Sequence, residues 1–501
     1  MASMKWILIS VVMSVLYGIA GNAEVPSFLE RLKRDPISAA KEIPEKRGVS
    51  RQSLFDSKSI KRRDYVAVKD KYRSKTLCSE SAPGESCIKK NNYYLLEGST
   101  EDSELRKFLG SSYETNVLKL DAYSEGRTST VPWSGYYWAT YEGGIGNRYG
   151  DKKFPRSQTF KINYEYFKNN YLQSPPQTAE GLSLLSPSEK YDVLLNDRQW
   201  NLTQAVWSDA STYMDASGRV ETWMGICHGW APAAMAVPEP KKAVTLNLDG
   251  HRGRMTLYPH DLKGLISQLW AEVSVDYSLL GGRCNEKNPK TDPTGRILSS
   301  SCFDINPSVW HLALTHLVGR QGQGFVLDAT YDYEVWNQPI YSYKLKYFNP
   351  NTRSVGSMSE SLVAYEDVTN DLYRSYRSSD TKYLLGVTSE IQYVVEEQPY
   401  QSEHSTDPFR RLVTVTYYYD LELDENYNII GGEWYQKAHP DILWRPTSPG
   451  ARPRVSGEDR LNDWEGHFPL PQELVSFAER ASAYKIPLSK VLDQLIEWAS
   501  R

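Results

Sequence analysis

A cysteine set at the start of a helix is the feature that most restricts this chain. Trp223-Met224-Gly225-Ile226-Cys227-His228-Gly229-Trp230 leads into Ala231-Pro232-Ala233-Ala234, and Pro238 ends the alanine-rich run. Pro232 fits a first helical turn, where its missing N–H has no partner to lose. The unsatisfied N–H groups of such a turn favour thiolate over thiol, so the spacing suits a presented nucleophile. It suits a buried structural cysteine as well.

The compartment helps to weigh these two readings. Lys5, the apolar run Ile7 to Leu16 and the small residues Gly21-Asn22-Ala23 predict a cleaved secretion signal over 1–23. No later stretch is long and apolar enough to span a bilayer, so a secreted chain without stable membrane association is expected. The 501 residues are 40% hydrophobic and 24% charged with net charge −4, a globular composition whose charge balance argues against nucleic acid as main partner. Of five cysteines, Cys78 with Cys87 and Cys284 with Cys302 bracket turn-like segments and predict two local disulfides, leaving Cys227 over. An odd cysteine in an exported protein is a reactive thiol or an intermolecular link.

Residues 24–75 carry many Lys and Arg and few large apolar residues in any period, so they read as a pro-segment or basic linker. A catalytic domain is expected over 76–465 and a C-terminal helical segment over 466–501, in two pieces broken at Ile486-Pro487-Leu488. Ser186, Pro187 and Glu189 mark a capped helix start, and Pro259 opens another helix with Leu262, Leu265, Ile266 and Leu269 on one face. Asp215-Ala216-Ser217-Gly218 reads as a plain turn. Trp310 to Val318 reads as a strand, Gly319 to Gly324 as its hairpin loop, and Phe325 to Thr330 as the return strand. Further strands are expected at Ile391 to Val395 and Arg411 to Glu422, the latter turning at Asp424 to Asn428 into Ile429 to Tyr435.

A thiol nucleophile needs a base and a group that orients the base. The predicted hairpin puts His311 across from Asp328, close enough for a carboxylate to hold an imidazole. Cys227, His311 and Asp328 are therefore the expected catalytic set for acyl transfer through a thioester. His316 has the opposite parity on the same strand, and His228 lies too near Cys227 in sequence to reach round it. The backbone N–H of Cys227 is the expected first oxyanion donor, with the indole of Trp223, Trp230 or Trp336 as the second.

Several blocks resemble one family. Asp328-Ala329-Thr330-Tyr331-Asp332-Tyr333-Glu334 runs into Val335-Trp336-Asn337-Gln338-Pro339. These five residues resemble the core of a surface peptide by which plants sense the secreted transglutaminase elicitor of oomycete pathogens, a family with bacterial relatives. Gly225 to Pro232 resembles its nucleophile motif; Trp310-His311 and Val326-Leu327-Asp328 resemble its histidine and acid segments. Trp138, Tyr149-Gly150, Tyr191-Asp192 and the block from Gly431-Gly432-Glu433-Trp434 through His439-Pro440-Asp441 to Pro446 fit as well, so the likeness runs from Tyr136 to Pro446. After Pro339, Ile340-Tyr341-Ser342-Tyr343-Lys344 departs in part from the peptide.

The resemblance implies an α+β fold with a papain-like, transglutaminase-like site, the nucleophile helix packed on an antiparallel sheet. It implies a protein-glutamine γ-glutamyltransferase that joins protein glutamine to lysine, with calcium as cofactor and a plant immune receptor as a partner through Val335, Trp336, Asn337, Gln338 and Pro339. A papain-like protease or glutamine deamidase with the same triad, and a non-catalytic secreted binding protein, are the alternatives.

Overall fold

The computed structural model describes residues 27–48 and 100–501, apart from 111, 174, 177, 249–252, 282–288, 294–295, 299–304, 330–332, 437–438 and 449. The expected signal segment, most of the basic linker and Cys78, Cys87, Cys284 and Cys302 lie outside the described residues.

The strands are β1 (Lys46–Gly48), β2 (Glu125–Arg127), β3 (Val244–Asn247), β4 (Arg254–Leu257), β5 (Tyr277–Gly281), β6 (Val326–Asp328) and β7 (Asn337–Phe348). They continue with β8 (Val355–Gly356), β9 (Leu362–Ala364), β10 (Tyr383–Val394), β11 (Leu412–Leu423), β12 (Ile429–Gly431) and β13 (Ile442–Pro446). All but β3 and β4 form one sheet, whose spine runs β1-β11-β10-β7-β6-β13-β5, with every pair antiparallel. Alternation builds its long strands: along β11, Val413, Val415, Tyr417 and Tyr419 are buried while the residues between them are half-exposed. Register then aligns Tyr343, Ile391 and Val415 across three strands, a buried cross-strand row. The turn at Asp424 to Asn428 and its return strand form as expected, with Asp424 accepting from the N–H groups of Asn426 and Asn428.

Helices cover this sheet and carry the cysteine. The helix Cys227–Ala236 packs on β7 and against the helix Pro259–Glu272. Gly229 makes the second contact possible, because a Cβ there would lie 2.1 Å from the Ser267 carbonyl. The helix Pro187–Leu195 starts with the anticipated capping box of Ser186 and Glu189. Its Lys190 meets Asp261 at 2.6 Å with both side chains fully buried, and Asp261 also accepts from the Tyr149 hydroxyl and the Tyr258 N–H. Removing either partner would strand a buried charge, so this pair pins the supporting helix in place. The helices Gln472–Ser482 and Ser489–Ser500, with Leu488 just before the second, add Leu474, Leu488, Val491 and Leu495 to the core that contains Cys227.

Two regions differ from expectation. Residues 27–48, read as part of a pro-segment or linker, fold onto the sheet. Phe28, Leu29, Leu32 and Ala39 pack against Phe348, Tyr373 and Tyr435, and β1 pairs with β11. The edge strand is thereby covered. The second difference is the stretch read as a strand from Trp310 to Val318. It is helical, Pro307–Ala313 continuing as a π-helix Leu314–Arg320, and no hairpin joins it to β6. Asn306 caps it by accepting from the Ser308 N–H, and Pro307 occupies its first turn. Every residue from Pro307 to Val318 is buried, so no polar face was left to mark a helical period. Among the described residues no helix is long and apolar enough to cross a membrane.

Candidate active site

Cys227 is the first residue of its helix, and Ile226 before it has non-helical backbone angles. The N–H of Ile226 donates to the Tyr137 carbonyl at 2.7 Å, and that of Thr140 to the Met224 carbonyl at 2.9 Å. The aromatic segment around Tyr137 therefore fixes the turn that presents the cysteine. Gly225 permits the approach, since a Cβ there would sit 2.3 Å from the Tyr137 carbonyl. Pro232 does not open the helix as expected; it lies inside it, because the helix begins five residues earlier at Cys227. Having no N–H, Pro232 interrupts the helix's own hydrogen-bond ladder at that turn.

Cys227 is 5% exposed and takes part in no disulfide. Its sulfur lies 3.8 Å from the Val335 carbonyl, toward which the thiol donates, and 3.3 Å from Nδ2 of Asn337, from which it accepts. Asn337 opens β7, and its register partner on β6 is Asp328. Asp328 is 1% exposed, and its Oδ1 accepts the N–H of Trp336 at 2.9 Å. Cys227 and Asp328 thus converge on the segment Val335 to Asn337. A further acid stands close by: Asp441 is fully buried just before β13, and burial first, then Tyr393, Asp328 and Asp441, push the Tyr417 phenol well up.

His311 is not part of this group. The cross-strand meeting with Asp328 fails because its segment is helical, and Asn337 holds the register position opposite Asp328. The His311 Nδ1 instead pairs with the Tyr419 hydroxyl at 3.0 Å. Burial, helped by the nearby His316, lowers its pKa to about 3, so the ring is neutral at ordinary pH. His316 is buried in turn, with its Nε2 accepting the Glu114 N–H.

The three indoles expected as oxyanion donors are each committed elsewhere. Trp223 Nε1 donates to Glu221 at 2.8 Å, Trp230 Nε1 to the Trp133 carbonyl at 3.2 Å, and Trp336 Nε1 to Glu334 at 3.0 Å. An indole has one N–H to give. The residues that sequence reasoning passed over are Asn337 and Trp444, whose Nε1 donates to Asn337 Oδ1 at 2.7 Å. Both stand in segments quoted above for the family likeness, but only the fold brings them beside the thiol.

The stretch Val335 to Pro339, expected at the surface, is buried, with Gln338 fully enclosed and bonded to Glu396 at 2.7 Å. Asn337, Gln338 and Pro339 pair with β6, while Val335 and Asn337 contact the cysteine sulfur. For calcium, no group of three or more His, Cys, Asp or Glu side chains among the described residues is placed to hold an ion. Asp215 spends its Oδ1 on the N–H groups of Ser217 and Arg219, as a plain turn does.

Comparison with known proteins agrees with the family likeness. The family model described as transglutaminase elicitor matches residues 102–458. Among solved structures, the GP42 transglutaminase from Phytophthora sojae matches with a TM-score of 0.49 and 23% identity, covering 77% of this chain and 98% of that one. A search of curated proteins finds no match. With the family model spanning most of its length, the chain belongs to the transglutaminase elicitor family.

Proposed function

We propose that this protein is a secreted protein-glutamine γ-glutamyltransferase in which Cys227 is the nucleophile and Asp328 the proton carrier. The observation that carries the reading is the convergence of a helix-start thiol and a buried carboxylate on the segment Val335 to Asn337. Family membership supports the reaction class.

The steps follow from these groups. Asp328 takes the thiol proton, and the helix N-terminus favours the thiolate that results. The thiolate attacks the γ-carbonyl carbon of a protein glutamine, with the backbone N–H of Cys227 at the helix start facing the developing oxyanion. The C–N bond then breaks, Asp328 returns its proton to the departing ammonia, and a thioester remains. A lysine amine attacks the thioester, the C–S bond breaks, and Asp328 receives the proton that the amine gives up. The products are an isopeptide bond and the resting pair of thiolate and protonated acid, equivalent to thiol and carboxylate. Calcium support of this activity is carried over from the family resemblance, and a chelator titration checks it.

Incorporation of a fluorescent amine into a glutamine-rich protein tests the reading. Wild type is expected to label the protein and Cys227→Ala to give background only. Peptide-bond cleavage or ammonia release without labelling would instead indicate a protease or a deamidase. Full labelling by folded Cys227→Ala would return the cysteine to a structural role.

A further inference from the structure

We propose that Asn337 is the second donor of this site, stabilising the Cys227 thiolate and then the oxyanion, and that Trp444 is the positioning residue that aims it. The inference rests on Cys227 being the nucleophile.

Side-chain amides present a donor and an acceptor that look alike in shape, so their orientation must come from their partners. Here the partner decides it. An indole nitrogen can only donate, and Trp444 Nε1 lies 2.7 Å from one end of the Asn337 amide, which must therefore be the oxygen. The other end, Nδ2, then faces the Cys227 sulfur at 3.3 Å. The chain Trp444 to Asn337 to Cys227 crosses three neighbouring pieces of the fold: β13, the first residue of β7 and the start of the cysteine helix. Asn337 is 5% exposed and held by its β6 register, so little freedom remains for the amide to turn away.

The two contacts of the sulfur differ in what they favour. The Val335 carbonyl can only accept, so it stabilises the thiol and opposes the thiolate. The Asn337 amide donates, and such a bond strengthens when the acceptor becomes charged. Deprotonation therefore shifts the sulfur from Val335 toward Asn337. Nδ2 carries two hydrogens, and the sulfur uses one. The second can meet a carbonyl oxygen whose carbon is being attacked by that sulfur, opposite the Cys227 N–H. The indoles of Trp223, Trp230 and Trp336 have spent their single N–H groups on other acceptors.

The test follows the acidity of the thiol and turnover in the same variants. Thiolate ultraviolet absorbance against pH is measured for the full chain, with Cys227→Ala as the blank. The pH profile of kcat/KM for a glutamine donor is recorded alongside. Asn337→Ala is expected to raise the titration by about one pH unit. It should also lower kcat by about 10²- to 10³-fold with a smaller change in KM. Trp444→Phe keeps a ring against Tyr277 but removes the donor, and is expected to shift both readings in the same direction by less. If Asn337→Ala does not fold, Trp444→Phe carries the decision alone. Wild-type titration and kcat in folded Trp444→Phe and Asn337→Ala, with Cys227→Ala inactive, would overturn this inference and leave the nucleophile in place. Turnover by Cys227→Ala would overturn the reading on which it rests.

Discussion

Cys227 and His311 begin alike and end in different chemistry. Each sits on a helix with proline in or near its first turns, and each is almost completely buried. Around Cys227 two polar groups are directed at the sulfur, the Asn337 amide and the Val335 carbonyl, and the Trp336 N–H between them binds Asp328. Around His311 the neighbours are Tyr419, whose hydroxyl pairs with Nδ1 and whose ring lies edge-on, and the buried His316, on a helix whose Trp310 is packed among Phe325, Tyr417 and Trp434. Burial alone therefore does not mark a functional group. What separates the two is whether the buried polar atom faces partners able to stabilise a change of charge.

Variants that break this contrast should differ greatly in effect. The largest loss is expected for Cys227→Ala, with amine incorporation falling to background while the melting temperature changes little, since only one small buried group is removed. Next comes Asp328→Asn, which keeps the shape and the Trp336 contact but removes the proton carrier. Its kcat should fall by about 10²- to 10⁴-fold in a chain that remains folded by circular dichroism. His311→Phe should behave the opposite way. It removes one partner of the buried Tyr419 hydroxyl, which keeps Ser389, costing about 0.5–1.5 kcal/mol in denaturant unfolding, while turnover per folded molecule stays within a few fold. A loss of kcat equal to that of Asp328→Asn would return His311 to the catalytic set.

A separate effect is on the pH dependence of stability. His260, His311 and His439 are held neutral, each lowered by burial to about 3. In the unfolded chain they take up protons near pH 6.5. The unfolded state then binds more protons between those values, so stability is full above about pH 6.5 and is lost as pH falls toward 3. Each histidine contributes a slope of about 1.4 kcal/mol per pH unit in that window. Melting of His311→Phe between pH 7 and pH 4 should therefore be shallower than wild type by about one such slope. Parallel curves would show that His311 is protonated equally in both states.

Local signals made much of the fold legible. Ser186 with Glu189, the Pro259 start, the Asp424 turn and the break before Ser489 are each set by neighbours in sequence, and each forms where expected. The start of the cysteine helix belongs with them, although Pro232 suggested a later first turn. The differences from expectation have separate causes. Trp310 to Val318 is buried on all sides, so its apolar run fitted strand and helix equally. Val335 to Pro339 was read through a resemblance to a surface peptide, whereas Asn337 to Pro339 pair with β6 and so lie inside the sheet. Residues 27–48 lack a helical period long enough to notice, yet Phe28, Leu29 and Leu32 suffice once Phe348 and Tyr435 offer a face. Of the candidate site, Cys227 and Asp328 could be picked out as single residues. Asn337 and Trp444 acquire their meaning only from the strands that bring them together.

The central claim is a covalent acyl-enzyme on one cysteine, and mass spectrometry of the acid-quenched protein tests it most directly. With a glutamine peptide and no amine, the account predicts a mass increase equal to the peptide less ammonia, mapped to the fragment containing Cys227 and discharged when a lysine analogue is added. Turnover with no adduct at any time, or an adduct on another residue, would contradict it.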